Sequence, residues 1–456
     1  MPTVLPAPYS RASGAPLICR RLDPAGAVPS ASQQPDRMNR SHPPAPLDPA
    51  LDAAMLLRRI GFGALALALP LVALLSRRAA VLLVPIAIVL LVIAALIEEP
   101  GRFLRILRDE VLSRPGLILI GLVGWAFLSL VWSPYPSGGF EKATNMTIAV
   151  ALGFLGLSAL PERMRSSNLN LVSLGNGLAA LVALGLIIFA LVRSTEPPPA
   201  AVERGVSIVL IMAWPALAWL LSRERGLSAL GLAFVITLLA LTRFDDGETI
   251  PMIFGAVAFG AVTASRADAT RVIAAIAAGL MLLAPLLPFL LAPLITALPN
   301  NDSDLAQAMW IWADVIRQSP IELITGHGLD TVLRGRMSGA LPPAAPSSLL
   351  FETWYELGLV GACAAAAGLY FAIRAAGRMA GALAAGGVAA FTTAFALGAL
   401  GFGPLLPWWL MTLTAVILMF GAVARGQYRT DRPAVPLRMR AASPLRPRAG
   451  RPPSAA

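Results

Sequence analysis

What this chain has little of is charge. Aspartate, glutamate, lysine and arginine make up 13% of its 456 residues, about half the usual share of a soluble domain. Hydrophobic residues reach 57% and mean hydropathy is +0.72, which excludes a soluble enzyme and a disordered polymer alike. Cysteine is nearly absent. Cys19 lies in a polar stretch and Cys363 in an apolar one, so neither a disulfide framework nor a cysteine metal site can be built. His42 and His327 are the two histidines, too few for a histidine metal centre, and no metal or other cofactor is expected. Lysine occurs once, at Lys142, among 36 basic residues.

What is present is a succession of apolar runs. They lie at about 60–76, 80–97, 117–132, 146–160, 171–192, 206–221, 227–242, 250–264, 272–297, 348–373, 380–402 and 404–424. Each approaches the ~20 residues that cross a bilayer. The reading is an all-α, polytopic transmembrane helix bundle of about 12 spans, occupying 58–426. The ninth run carries Pro285, Pro288 and Pro293, and a kink is expected there. Residues 1–57 are rich in Pro, Ala, Ser and Arg without apolar periodicity; they read as a disordered tail, with Met38 or Met55 as alternative starts. Residues 427–456 read as a second, basic and disordered tail.

Arginine sets the orientation. With the N-terminus inside, 27 of the 36 basic residues fall on the cytoplasmic side and 9 on the other. Both termini are therefore expected in the cytoplasm, with Arg77 and Arg78 the pair that strains the assignment. The segment 98–115 reads either as an amphipathic helix on the inner leaflet or as a charged, solvated loop. The arginines of the C-terminal tail favour anionic lipid surfaces. Nucleic acid is not expected, because no folded module accompanies the charge. One large connection, 298–347, lies between the ninth and tenth spans on the outer side. Its first half, 303–319, has helical spacing with Ser303 as N-cap and Pro320 as stop. Its second half is Gly- and Pro-rich and reads as a flexible cover.

Charges near the outer face carry the chemistry that the sequence offers. Arg204, at the outer end of a span, reads either as a planar fork for phosphate oxygens or as a snorkelling side chain. The run Arg243-Phe244-Asp245-Asp246-Gly247-Glu248 reads as a cation site or, more simply, as a hydrated turn. Arg193, Glu196 and Glu203 flank a stiff triple proline, Pro197 to Pro199; Glu203 is a base candidate beside Arg204 or an ordinary surface carboxylate. Gly326-His327-Gly328-Leu329-Asp330 precedes Arg334 and Arg336. His327 is the sole outer histidine and reads as a general base near neutral pH or as a solvated loop residue.

Four stretches together resemble the O-antigen ligase and polymerase family of bacterial envelope glycosyltransferases. Trp132-Ser133-Pro134 with Pro136 resembles the family's WSP-x-P. Arg204-Gly205 followed by Trp214-Pro215-Ala216 resembles NRG…WPAL, with Glu203 in place of Asn. Trp312, Pro320 and Gly326-x-Gly328-x-Asp330 resemble IW…P…GWGFD. Glu352-x-x-x-Glu356-Leu357-Gly358-Leu359-x-Gly361 resembles the segment that opens the span after the large loop. The resemblance covers about 130–361. It implies a bacterial inner-membrane protein that takes an undecaprenyl-pyrophosphate-linked glycan at the periplasmic face. The acceptor would be a lipid A-core sugar or another lipid-linked repeat, and the transfer inverting and metal-independent.

What the resemblance implies for Arg204 is contact with the donor pyrophosphate, and for loop 298–347 the acceptor side. Two positions depart from the pattern. The family's catalytic histidine falls on Ser347, whose hydroxyl needs an activating partner to act as a base, and its second arginine falls on Ala308. The readings left open are migrated catalysis, with His327 as base and Arg317, Arg334 or Arg336 replacing the missing cation, or a degenerate member that assists polysaccharide assembly without transferring. A transporter of lipid-linked glycan is the rival from another class; it is disfavoured because the charges sit at span ends rather than at the midplane.

Overall fold

Among the described residues, four helices begin at a proline, whose missing amide is one that a helix start leaves unbonded anyway. They are α1 (Pro49–Gly63), α4 (Pro100–Val111), α6 (Pro136–Ala159) and α18 (Pro407–Arg425). The computed structural model describes residues 49–193, 200–243, 247–296, 304–401 and 406–426. Both expected tails up to 48 and from 427, and with them Ser303, Glu196, the triple proline, Asp245 and Asp246, lie outside the described residues. Residues 49–57, expected in the structureless tail, are instead the opening turns of α1. The helix-favouring run Ala53-Ala54-Met55-Leu56-Leu57 and Asp52 in the first turn account for the difference.

A π-helical turn, Ala64–Ala68, joins α1 to α2 (Leu69–Ala73). There follow α3 (Ala79–Glu98), the short α4, α5 (Arg114–Leu128), α6, α7 (Ser166–Arg193), α8 (Ala200–Ser222), α9 (Gly226–Leu241) and α10 (Thr249–Ala264). The proline-rich run forms α11 (Arg266–Leu283) and α12 (Leu287–Thr296), separated by a 3-10 turn at Ala284–Leu286. Between them and the last three long helices lie α13 (Asp304–Gln318), α14 (Glu322–Thr325) and α15 (Thr331–Ser338). The chain closes with α16 (Leu349–Ala376), α17 (Ala382–Ala399) and α18. No strand occurs among the described residues.

Ten of the helical segments are long and apolar enough to cross a membrane, and α9 and α10 are shorter apolar helices of 16 residues. The chain is an all-helical membrane protein. Burial identifies its centre: 83% of the apolar window of α8 is buried and 67% in α17 and α18, against 17–39% in the other seven. Trp214 of α8 donates to Thr393 Oγ1 of α17 at 3.0 Å and stacks on Phe259 of α10. The Trp-Pro-Ala stretch thus serves the interior of the bundle. The segment 98–115, for which helix and loop were both open, is helical in α4; Phe103 is buried and Arg102 donates to Glu162 at 3.2 Å.

One end of the bundle is held by arginine. Arg425 donates to the carbonyl of Leu160 (2.6 Å), Arg266 to that of Gly377 (2.8 Å) and Arg223 to that of Gly426 (3.3 Å). These three carbonyls belong to the C-caps of α6, α16 and α18, where the helix leaves acceptors unpaired and its dipole favours a cation. Arg58 pairs with Glu98 at the same end. The second half of the large connection, expected as a flexible cover, instead contains α14 and α15, drawn onto α16 by the contacts described below.

Glycines allow backbones to touch where α2 meets α8. A Cβ on Gly205 would lie 2.7 Å from Leu74 Cα and 2.8 Å from the Ala73 carbonyl, whereas one on Gly153 meets nothing within 4 Å. Gly205→Ala should therefore cost about 1–3 kcal/mol through overpacking. Gly153→Ala should be neutral or slightly stabilising. Melting of the two variants in detergent checks the contrast.

Candidate functional site

At the opposite end, three distant stretches share one knot of backbone. Gly326 and Gly328 have φ of +75° and +94°, and Asp330 has +69°. Gly358 lies inside α16 with φ +62°, breaking the helix into two. A Cβ on Gly358 would lie 2.5 Å from both Gly326 N and Ile324 O, so a side chain cannot be added there. The amides of His327 and Gly328 donate to the carbonyls of Tyr355 (2.8 Å) and Glu356 (3.1 Å).

The third stretch arrives from the α5–α6 connection. Trp132 Nε1 donates to Gly326 O at 3.1 Å, and Ser133 Oγ to Leu329 O at 3.0 Å. The Leu329 amide donates to Ser129 Oγ at 3.2 Å. Trp125 Nε1 reaches Leu357 O at 2.9 Å. Residues 132–134, 326–330 and 352–361, three of the four stretches singled out in the sequence, are thereby in direct contact.

Beneath this knot is a buried charge cluster. Lys142 of α6 places Nζ 2.8 and 3.0 Å from the two carboxylate oxygens of Glu356 and 3.4 Å from Glu352. The Val332 amide donates to Glu356 Oε1 at 3.3 Å. Glu356 is fully buried. Asp330, also buried, pairs with the exposed Arg334 at 3.2 Å. The Lys142 ammonium thus faces two carboxylates on successive turns of one helix. In a chain otherwise built on arginine, the single lysine stands here.

His327 is held on both sides. Its ring stacks on Tyr355 at 3.9 Å and 7°. Nδ1 faces the Tyr355 carbonyl at 3.1 Å, and Nε2 contacts the Glu322 carboxylate. The cleft beside it, lined by Trp312, Glu322, Phe351 and Tyr355, has a volume of about 20 Å³, room for roughly one water. Ser347 is half-buried at the foot of α16, and its hydroxyl has no hydrogen-bond partner among the described residues; the neighbouring Ser348 caps the helix by accepting from Phe351 N at 3.2 Å.

The remaining candidates are dispersed. Arg336 is half-buried on α15, and exposed Arg317 lies over the Phe289 ring at 5.4 Å. Arg204 is half-buried over the Trp408 ring at 5.5 Å and makes no ion pair among the described residues; Trp408 Nε1 is itself buried without a partner. Glu203 is half-buried. Glu248, buried, accepts from Ser207 Oγ at 2.6 Å and faces Arg243 at 3.7 Å, so what the structure describes of that cluster is an internal ion pair. No group of three or more His, Cys, Asp or Glu suited to a metal occurs among the described residues.

No family model, curated protein or solved structure matches this chain. The site therefore rests on its own geometry. Sequence reasoning set Glu352 and Glu356 in one motif and noted Lys142 as the sole lysine, but did not join them. The available signal was the four-residue spacing of the glutamates, which puts both on one helix face.

Removing one partner of a buried pair strands the other charge. Lys142→Met should destabilise the protein by about 3–5 kcal/mol, and Glu356→Gln in the same chain should restore part of the loss. Thermal unfolding of the single and double variants in detergent measures both effects.

Proposed function

We propose that this chain is an O-antigen ligase-like protein of the bacterial inner membrane that handles undecaprenyl-pyrophosphate-linked glycan at the periplasmic face. The observation that carries the reading is the convergence of three of the four family-like stretches in one hydrogen-bonded knot. Such contact is what a shared site requires. In this reading the ten long and two shorter apolar segments make twelve crossings. On the arginine count, both termini are cytoplasmic and the knot faces the periplasm.

In this reading Arg204 takes the donor pyrophosphate. It stands at the membrane end that bears the knot, half-buried and without a protein counter-charge among the described residues, and its planar fork suits phosphate oxygens. Arg334 and Arg336 border the acceptor side, where a lipid A-core sugar or another lipid-linked repeat would enter. Transfer would form a bond from the acceptor oxygen to the anomeric carbon, break that carbon's bond to the pyrophosphate, and move the acceptor's proton to a base.

A second reading, handling without transfer as an assembly partner, is favoured by His327. Both ring nitrogens already face protein acceptors, so the imidazole offers no free lone pair until Glu322 withdraws. Ser347 has no activating neighbour among the described residues.

Purified protein should bind undecaprenyl-pyrophosphate glycan, and Arg204→Ala should weaken that binding about tenfold or more, the scale of one lost charge-assisted contact. Wild-type affinity in the variant would remove the pyrophosphate role. Metal-free transfer to either acceptor, lost in His327→Ala, would establish a transferase with a displaced base. Binding without transfer would establish the assembly partner.

A further inference from the structure

A second site lies at the arginine-held end. Between the start of α1 and the α6–α7 connection is a hollow of about 430 Å³, lined by Arg58, Arg59, Arg163 and Arg165 together with Met55 and Leu56. Its volume is within the range of small-molecule sites. Asp52 is the one acidic residue in the lining. The pair with Glu98 neutralises Arg58, yet Arg58 Nε remains buried without a hydrogen-bond partner. Arg59 and Arg165 are exposed and have no counter-charge among the described residues.

The walls around these cations are fixed. On one side α1 is tied to the end of α3 by Arg58 and Glu98. On the other, the Met164 amide donates to Arg425 O at 3.2 Å, tying the α6–α7 connection to the end of α18. Helix α7 begins at Ser166, immediately after Arg165, and Asn168 of its first turn also lines the hollow. The positive end of a 28-residue helix adds to the field of the arginines. Cavity, unpaired cations and helix start all favour one ligand chemistry, a phosphate anion.

The apolar part of the lining narrows the source. Met55 and Leu56 are 44% and 58% exposed, beside the arginines and on a helix that continues into a membrane-crossing segment. A free phosphate gains nothing from these side chains, whereas an anionic phospholipid can lay glycerol and acyl carbons on them with its phosphate among the cations. We propose that this hollow binds the phosphate headgroup of an anionic phospholipid of the surrounding leaflet. The assignment is independent of the outer-end function, and it stands whether or not the chain handles glycan.

The test is native mass spectrometry of the full-length protein released from mixed micelles of phosphatidylglycerol and phosphatidylcholine. Wild type should retain phosphatidylglycerol over phosphatidylcholine. Arg59→Gln/Arg165→Gln, which alters two exposed side chains and should keep the wild-type melting temperature, should lower retention about tenfold. Arg105→Gln/Arg108→Gln, on α4 outside the hollow, should behave as wild type. Equal retention of the two lipids, or undiminished phosphatidylglycerol on the Arg59/Arg165 variant, would overturn the proposal. Millimolar inorganic phosphate that displaces the lipid completely would overturn the lipid source and leave a soluble anion in its place.

Discussion

Glu356 and Lys142 face each other inside the helical bundle, and much of the end that carries the knot is arranged around keeping them together. An isolated carboxylate at that depth would be costly to desolvate, and the ammonium at 2.8 Å offsets that cost. The Val332 amide donates to the same carboxylate, so the ion pair also fixes the start of α15. Glu356 lends its own carbonyl to Gly328. A single residue therefore ties α6, α15, α16 and the loop that carries His327. The positive φ at Gly358 is what allows the loop to lie so close to α16. The segment that carries α14 and α15 is thus a fitted cap on that end of the bundle.

Much of the architecture is legible in the sequence because a bilayer makes severe demands. Backbone polar groups must be satisfied within each crossing, so the apolar runs translate into helices with little ambiguity. Prolines at Pro285 and Pro288 fall where α11 gives way to a 3-10 turn and then α12. The start of α1 was not legible, because Pro49-Ala50-Leu51-Asp52 continues the composition of the stretch before it, and its helical character lies in propensity and a first-turn aspartate. The segment that carries α14 and α15 misled for a related reason. Gly326 and Gly328 suggest freedom when read singly, but here glycine serves close approach and left-handed backbone, and the segment is tightly held.

The site was half legible. Its stretches could be named one at a time, while their contact depends on pairings some 200 residues apart, such as Trp132 with Gly326 and Ser133 with Leu329. Local pattern carries no such information. The two ends also use charge differently. At one end arginines cap helix carbonyls, a task that a long, multi-donor side chain performs in many geometries. At the other, one lysine meets two carboxylates, one of them fully buried.

The π-helical turn at Ala64–Ala68 gives the first crossing a further property. Such a turn accommodates one extra residue, and each residue of an α-helix rotates the chain by about 100°. The portion below the turn carries Arg58 and Arg59, and the portion above carries Ala73, against which Gly205 packs. Their relative azimuth is set by those five residues. Were the turn to relax into continuous α-helix, one end would have to swivel against the other, so the arginine-lined hollow and the α2–α8 seam are phased through the thickness of the bundle like two cams on one shaft.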